Sequence, residues 1–283
     1  MPELPEAETI VRGLRSRVVG RVVRDVDVIH GDVLRSSPGE LRKRVRGRRI
    51  EAVDRRGKNV LIRLAEGRVV VVNLGMTGRL VPLEPGALPP DDATHPAVRL
   101  GFRDGGSLVF DDTRRFGTLE CLDAAAWKRR SRALGPEPLD RRFTAARFHR
   151  ALSRSRTPVR SWLLDQSRVA GVGNIYANEA LYRAGVHPHR PARSVDAPEA
   201  RRLHRALRAV LREAIRAGGT TIRDFRSAEG GPGVFVRQLS VYGREGEPCP
   251  RCRTPVERVV FANRSAFLCP RCQPDADRDG PRP

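Results

Sequence analysis

The sequence predicts an α+β chain of several domains: a β-sandwich or barrel behind one leading helix, then a helical segment, then a small cysteine ribbon. Three observations carry this. Seven short stretches in the first 130 residues alternate apolar and polar side chains, the stretch from about 197 to 217 repeats apolar side chains at helical spacing, and four C-terminal cysteines form two Cys-x-x-Cys pairs. A chain of 283 residues can hold two or three domains and bury a substantial core without disulfides.

The leading helix is expected near residues 5 to 18. Pro5 suits a first-turn position, Glu6 and Glu8 face the positive end of the helix dipole, and Ile10, Val11, Leu14 and Val18 share one side. Strands are expected around 21 to 29, 48 to 55, 59 to 64, 68 to 73, 97 to 103, 107 to 111 and 117 to 122. Val22, Val26 and Val28, or Val60, Ile62 and Leu64, show the period of two of half-buried strands. Turn chemistry separates them at Glu66-Gly67, at Asp104-Gly105-Gly106 and in the proline-rich stretch from Pro82 to Pro90. Composition shifts at Leu134-Gly135-Pro136-Glu137-Pro138-Leu139, which reads as a linker. A helix near 174 to 184 follows Gly171-Val172-Gly173 and stops at Gly185. The helix from 197 to 217 is capped by Asp196 and Glu199 and ended by Gly218-Gly219, and Thr220 to Gln238 reads as a long loop.

Charge narrows the partner. The chain carries 54 basic against 33 acidic residues, net +21, with no apolar run able to span a bilayer and no secretory hydrophobic region at its acidic start. A soluble intracellular protein with a polyanionic partner is expected, although arginine bias alone would also raise the charge. Only Lys43, Lys58 and Lys128 are lysines. Arginine cannot lose its proton near neutrality and a lysine can, so each lysine is a candidate for proton transfer.

The most specific pattern is Cys249-Pro-Arg-Cys252, sixteen intervening residues, then Cys269-Pro-Arg-Cys272. Two such turns converge their sulfurs on one tetrahedral Zn(II), and four thiolates leave no open position for catalysis, so one structural ion is expected. Val256 to Phe261 and Ser265 to Leu268 suit the hairpin that joins the turns, and it carries Arg258 and Arg264. Cys121, on an expected strand, reads as a buried small hydrophobe. Gly171-Val172-Gly173-Asn174 opens a helix whose amides can meet a phosphate. Arg55-Arg56-Gly57-Lys58-Asn59 and Asp111-Asp112-Thr113-Arg114-Arg115-Phe116-Gly117 are basic turns, the second with an aromatic able to enter a base stack. Met76 sits in the glycine turn Leu74-Gly75-Met76-Thr77-Gly78. Removal of Met1 would leave Pro2 as a secondary amine. An α-amino group has a reference pKa of roughly 7.7 to 8.0, so part of it is a free nucleophile at neutral pH. Alone, Pro2 reads as a proline before a helix.

Together these residues resemble the formamidopyrimidine-DNA glycosylases. Met-Pro-Glu-Leu-Pro-Glu, Gly57-Lys58, Leu74-Gly75-Met76-Thr77-Gly78, Arg114-Arg115-Phe116-Gly117, the Leu134 to Leu139 segment, Gly171 to Tyr176, Val241-Tyr242-Gly243-Arg244 and the cysteine ribbon occur in the family's order over nearly the whole chain. The resemblance implies an N-terminal β-sandwich domain at 1–131, a linker at 132–140, a helical helix-two-turn-helix domain with a lesion-covering loop at 141–240, a zinc ribbon at 241–273 and a flexible tail at 274–283. It implies a monomeric, cytoplasmic, nucleoid-associated prokaryotic repair enzyme acting on double-stranded DNA with oxidised purines or abasic sites. Pro2 would attack C1′, Glu3 would be the acid/base, Lys58 a proton donor in β-elimination and Arg264 a participant in δ-elimination. Met76, Arg114 and Phe116 would fill the space of the flipped nucleotide, Asn174 would bind phosphate and His95 would contact DNA. Asn73 stands where many relatives have histidine, and Leu4, where the endonuclease VIII branch usually has glycine, separates the chain from that branch. An oxidised-pyrimidine glycosylase of this fold and a non-catalytic zinc-ribbon DNA-binding protein are the alternatives.

Overall fold

The computed structural model describes residues 2–221, 233–261 and 264–275. Met1, Asn263, most of the expected lesion-covering loop and most of the expected tail lie outside the described residues. The chain divides into two compact units, one of Met1–Ala133 with Ala214–Val236, the other of Leu134–Glu213 with Arg237–Pro283.

The first unit opens with α1 (Leu4–Val18), which buries Leu4, Ala7, Ile10, Val11, Leu14 and Val18. The strands follow as β1 (Val23–Val28), β2 (Ile50–Arg56), β3 (Asn59–Leu64), β4 (Arg68–Asn73), β5 (Arg79–Leu83), β6 (Pro96–Phe102), β7 (Ser107–Asp111) and β8 (Thr118–Asp123). They form two antiparallel four-stranded sheets, β1-β6-β7-β5 and β2-β3-β4-β8. One core takes Val26, Val98, Leu100 and Phe110 from the first sheet, Val60, Ile62, Val72 and Leu119 from the second, and Ile10 and Leu14 from α1. The architecture is therefore a sandwich and not a barrel, because two separate sheets meet across one apolar layer.

β5 falls where no strand is expected, its last two residues lying in the stretch from Pro82 to Pro90 that reads as a proline-rich turn. Pro82 lies inside it, pairing with Leu108, and is tolerated because β5 is an edge strand. Two short helices also escape the periodicity argument, α2 (Pro38–Val45) and α3 (Ala124–Ser131). For α2 the sequence does carry a signal: Ser37 caps it by accepting the Glu40 N–H at 3.2 Å, a Ser-x-x-Glu pattern.

The second unit holds α4 (Ala145–Leu152), α5 (Val159–Leu164), α6 (Asn174–Ala184) and most of α7 (Ala197–Arg216), then the hairpin β9 (Glu257–Phe261) and β10 (Arg264–Leu268). α6 ends at the expected stop, Gly185 with φ +70°. The segment after Leu134 is fastened within this unit: Gly135 N–H donates to the Gln166 carbonyl at 2.8 Å, and Arg208 donates to the carbonyls of Pro138, Leu139 and Asp140. Among the described residues no helix is long and apolar enough to cross a membrane.

Candidate active site and nucleic-acid interface

In the first unit, Pro2 is buried directly before α1, and two nearby acids are buried as well, Glu3 and Glu6 each 2% exposed. Glu3 is the N-cap. Its carboxylate and that of Glu6 close a reciprocal capping box, with Glu6 Oε2 accepting the Glu3 N–H at 2.8 Å. The other Glu6 oxygen accepts the Thr220 N–H at 2.7 Å, which ties the root of the following loop to the start of α1. From the sequence Glu6 has only a helix-dipole role, since nothing in a linear pattern marks an acid as buried.

Lys58 is half-buried at the tip of the β2–β3 hairpin, where Gly57 supplies a positive φ of +59°. Arg55 braces this turn: its Nη1 donates to the Gly57 carbonyl at 2.9 Å and its Nε to Glu8 of α1 at 3.2 Å. Next to Lys58, Asn59 donates to the Arg56 carbonyl at 3.2 Å and accepts from Asn73 Nδ2 at 3.1 Å. Asn73 Oδ1 in turn accepts the Gly75 N–H at 3.1 Å. Two carboxamides thus join the Lys58 turn to the Met76 turn.

Met76, Arg114 and Phe116 are brought together on two turns locked to one another. Asp112 is fully buried, accepting the Thr77 hydroxyl at 2.5 Å and the Gly117 N–H at 2.7 Å, while the Thr77 oxygen accepts the Arg114 N–H at 3.0 Å. Gly75, at φ +58°, passes so near that a Cβ there would stand 2.5 Å from the Gly117 nitrogen and the Phe116 carbonyl carbon. On this frame Met76 is 40% and Phe116 60% exposed, and the Arg114 guanidinium lies 4.7 Å from the centre of the Phe116 ring. Exposed apolar side chains on a braced turn can enter a base stack without first being ordered. Arg115, with φ +52°, sends its guanidinium elsewhere, to Asp32 at 3.3 Å. His95 is exposed beside the same turn. Its N–H donates to Asp111 at 2.6 Å and its carbonyl accepts the Asp112 N–H at 3.0 Å. Sequence reasoning missed Thr77 and Asp112, whose role depends on which turns meet.

In the second unit, Gln166 braces the Gly171-Val172-Gly173 approach to α6, accepting the Gly171 N–H at 2.8 Å and donating to the Val172 carbonyl at 2.7 Å. Asn174 Oδ1 accepts from Arg160 at 2.6 Å and from Asn178 at 3.2 Å, and its Nδ2 donates to the Ser265 carbonyl at 3.0 Å. These bonds use both oxygen lone pairs and one of two amide hydrogens, leaving one donor without a partner among the described residues. Arg160, which sequence did not single out, is 1% exposed and also donates to the Ser265 carbonyl at 2.8 Å. Burial, with repulsion from Arg264, pulls its guanidinium below the usual arginine range. Arg264 itself is exposed at the start of β10. Buried Glu179 accepts the backbone N–H groups of Ser240, Val241 and Tyr242 at 2.9 to 3.0 Å, fixing the path of the chain into the ribbon.

The four cysteine sulfurs lie within 4.8 Å of one another, with Cys249 and Cys272 at 3.9 Å and Cys252 and Cys269 at 3.4 Å. Zinc–sulfur bonds of about 2.3 Å in a tetrahedron place sulfurs roughly 3.8 Å apart, so the four residues fit one Zn(II). Gln273, fully buried, braces the second turn by accepting the Cys269 N–H at 3.1 Å and donating to the Val186 carbonyl at 2.9 Å. Cys121 is core: 1% exposed, with burial pushing its thiol up to about 11.

Three family models match the chain: the formamidopyrimidine-DNA glycosylase N-terminal domain over residues 1–119, its H2TH domain over 134–226, and a zinc finger found in FPG and IleRS over 246–274. The formamidopyrimidine-DNA glycosylase of Thermus thermophilus is 47% identical over 96% of this chain and 98% of its own length, and that of Chloroflexus aggregans 42% over the same shares. Among solved structures, the Thermus thermophilus MutM (Fpg) protein superposes with TM-score 0.85 at 46% identity, covering 96% of this chain and 98% of that one. The complex of Lactococcus lactis Fpg with abasic-site DNA superposes with TM-score 0.88 at 30% identity, covering 96% of this chain and all of that one. The zinc-finger match and the four-cysteine cluster together give the ribbon one structural zinc ion.

Proposed function

This chain belongs to the formamidopyrimidine-DNA glycosylase family, and from that membership we propose how its own residues carry out base-excision repair. It is a DNA glycosylase and abasic-site lyase acting on damaged duplex DNA. The observation that carries the mechanism is the buried Pro2-Glu3 pair at the start of α1. With Met1 removed, the Pro2 nitrogen bonds to C1′ of the damaged nucleoside as the glycosidic bond breaks and the base leaves with a proton. Glu3 protonates the sugar ring oxygen, which opens the ring to an iminium ion. That cation acidifies the C2′ proton. Its loss expels the 3′ phosphate, with Lys58 as proton donor, and a second elimination expels the 5′ phosphate, with Arg264 taking part.

A base inside a duplex cannot reach Pro2, so the nucleotide is extruded. Met76 and Phe116 enter the gap and Arg114 faces the estranged base; the bonds among Thr77, Asp112 and Gly117 support this by holding both turns before DNA arrives. Asn174 gives its remaining amide hydrogen to a phosphate, and His95 contacts the backbone. Oxidised purines, 8-oxoguanine and formamidopyrimidines, are the substrates. The enzyme works as a monomer in the prokaryotic cytoplasm, on the nucleoid.

Borohydride trapping on a lesion duplex tests the mechanism. A covalent adduct is expected from zinc-loaded protein, weakened by Pro2→Gly and abolished by a blocked N-terminus. No adduct on any lesion or abasic site would sink it. Faster release of thymine glycol opposite A than of 8-oxoguanine opposite C would move the specificity to oxidised pyrimidines.

A further inference from the structure

The solvent face of α7 carries a feature built from none of the residues assigned above to excision. Arg201, Arg205, Arg208 and Arg212 stand at i, i+4, i+7 and i+11, within one narrow sector of the helix and opposite the apolar face of Leu203, Leu207 and Leu211. They line an open groove of about 330 Å³ together with Ala145 of α4 and His204. The stripe runs along roughly 16 Å of helix at 1.5 Å rise per residue.

Among the described residues no carboxylate is paired with this row. Arg201, Arg205 and Arg212 are exposed and make no ion pair among the described residues. The two acids of α7 are engaged elsewhere, Glu199 with Arg190 and Glu213 with Arg183, each at 2.6 Å. Asp140 faces Arg208, but its carboxylate is held by Arg142 at 2.7 Å. Like charges one helical turn apart destabilise a helix, so the row carries a standing repulsion that a polyanion relieves. Arg208 is fixed in the groove floor by the carbonyls of Pro138, Leu139 and Asp140 at 2.6, 3.2 and 2.8 Å. His204 is held to the Phe143 carbonyl at 2.6 Å, and burial, with repulsion from Arg208 and Arg212, keeps it below its ordinary value.

We propose that this groove binds the phosphate backbone of a second segment of duplex DNA, one other than the segment holding the lesion. Spaced cations on a straight helix match a run of phosphates, and the contacts carry no base information. The protein then holds two duplex segments and passes between them while searching.

Two-duplex capture tests this. Zinc-loaded full-length protein is bound to an immobilised duplex carrying a stable abasic-site analogue, and a labelled undamaged duplex is added at low salt. Capture is expected for the wild type, with an affinity falling roughly 40-fold between 50 and 200 mM salt if about three phosphates are engaged. The triple variant Arg201→Gln, Arg205→Gln, Arg212→Gln should lose capture yet stay on the immobilised duplex, while the corresponding triple lysine variant keeps both. Intact retention without wild-type capture, or equal capture by the glutamine variant, overturns the proposal, as does capture of single-stranded RNA alone. Loss of retention in the wild type counts instead against lesion binding. The salt slope for undamaged duplex in solution then decides: it should fall by about three with the glutamine variant, and an unchanged slope overturns the proposal.

Discussion

Replacing Gly75 by alanine tests whether the Met76 turn depends on its close approach to the Phe116 turn. Two costs can be separated. At φ +58° an L-residue in the left-handed region costs about 1 to 2 kcal/mol, offset by about 0.4 to 1 kcal/mol because alanine loses less freedom on folding. The added Cβ would also stand 2.5 Å from two backbone atoms, Gly117 N and Phe116 C, neither of which can rotate away. Overpacking of this kind costs typically about 1 to 3 kcal/mol. The sum is about 1 to 5 kcal/mol, or roughly 2 to 20 °C in the melting of the sandwich unit. Gly86→Ala is the control: Gly86 has φ +75°, but a Cβ there would meet nothing within 4 Å, so only the conformational cost of about 1 kcal/mol applies. Calorimetry on both variants, with single-turnover excision of 8-oxoguanine, gives the comparison. Gly75→Ala should slow excision at least about tenfold, equivalent to about 1.4 kcal/mol, with Gly86→Ala within about twofold of wild type. Equal melting shifts for the two variants, or unchanged excision by Gly75→Ala, would refute the idea that contact between these turns sets the wedge.

Asn73→Ala removes both carboxamide bonds between the Lys58 and Met76 turns and orphans the Gly75 N–H, so a loss of about 1 to 3 kcal/mol is expected, seen as faster amide exchange at Gly75. Cys121, raised from 9.0 to about 11, keeps its proton in the folded state over a range where the unfolded thiol loses it. Its contribution is therefore complete below pH 9 and lost as pH rises from 9 to 11, and Cys121→Ala should flatten that part of the stability profile in denaturant titrations. Chelating the zinc, or Cys249→Ser, should unfold the ribbon and weaken DNA binding steeply while the sandwich keeps its melting transition, which differential scanning calorimetry resolves; structural zinc is worth about 10 kcal/mol or more in small finger modules.

Much of this protein is determined locally, and there the sequence suffices. Val60, Ile62 and Leu64 share the face of β3 on the sandwich core, although Leu61 on the other face is buried as well, in a cluster with Val69, Val71 and Trp127, and α6 stops at Gly185 because its C-terminal turn needs φ +70°. The cysteine pairs name their own metal, since two short loops with thiolates at that spacing converge on a tetrahedron. Those signals involve residues a few positions apart, or a ligand set with one geometry.

Tertiary structure decided what depends on chain segments distant in sequence meeting. Two sheets rather than one closed barrel and Pro82 tolerated on an edge strand follow from neighbours that no window contains, whereas α2 and α3 are too short for a periodic signal and are marked only by their local caps, Ser37 and Asp123. The same holds at the site. Glu6 is a helix-start acid by sequence, but its burial and its bond to Thr220 arise from a contact 214 residues away. Thr77, Asp112 and Arg160 look like ordinary surface residues until the fold buries them, and the hydrogen bonds they then make to other protein groups fix the turns that carry the chemistry.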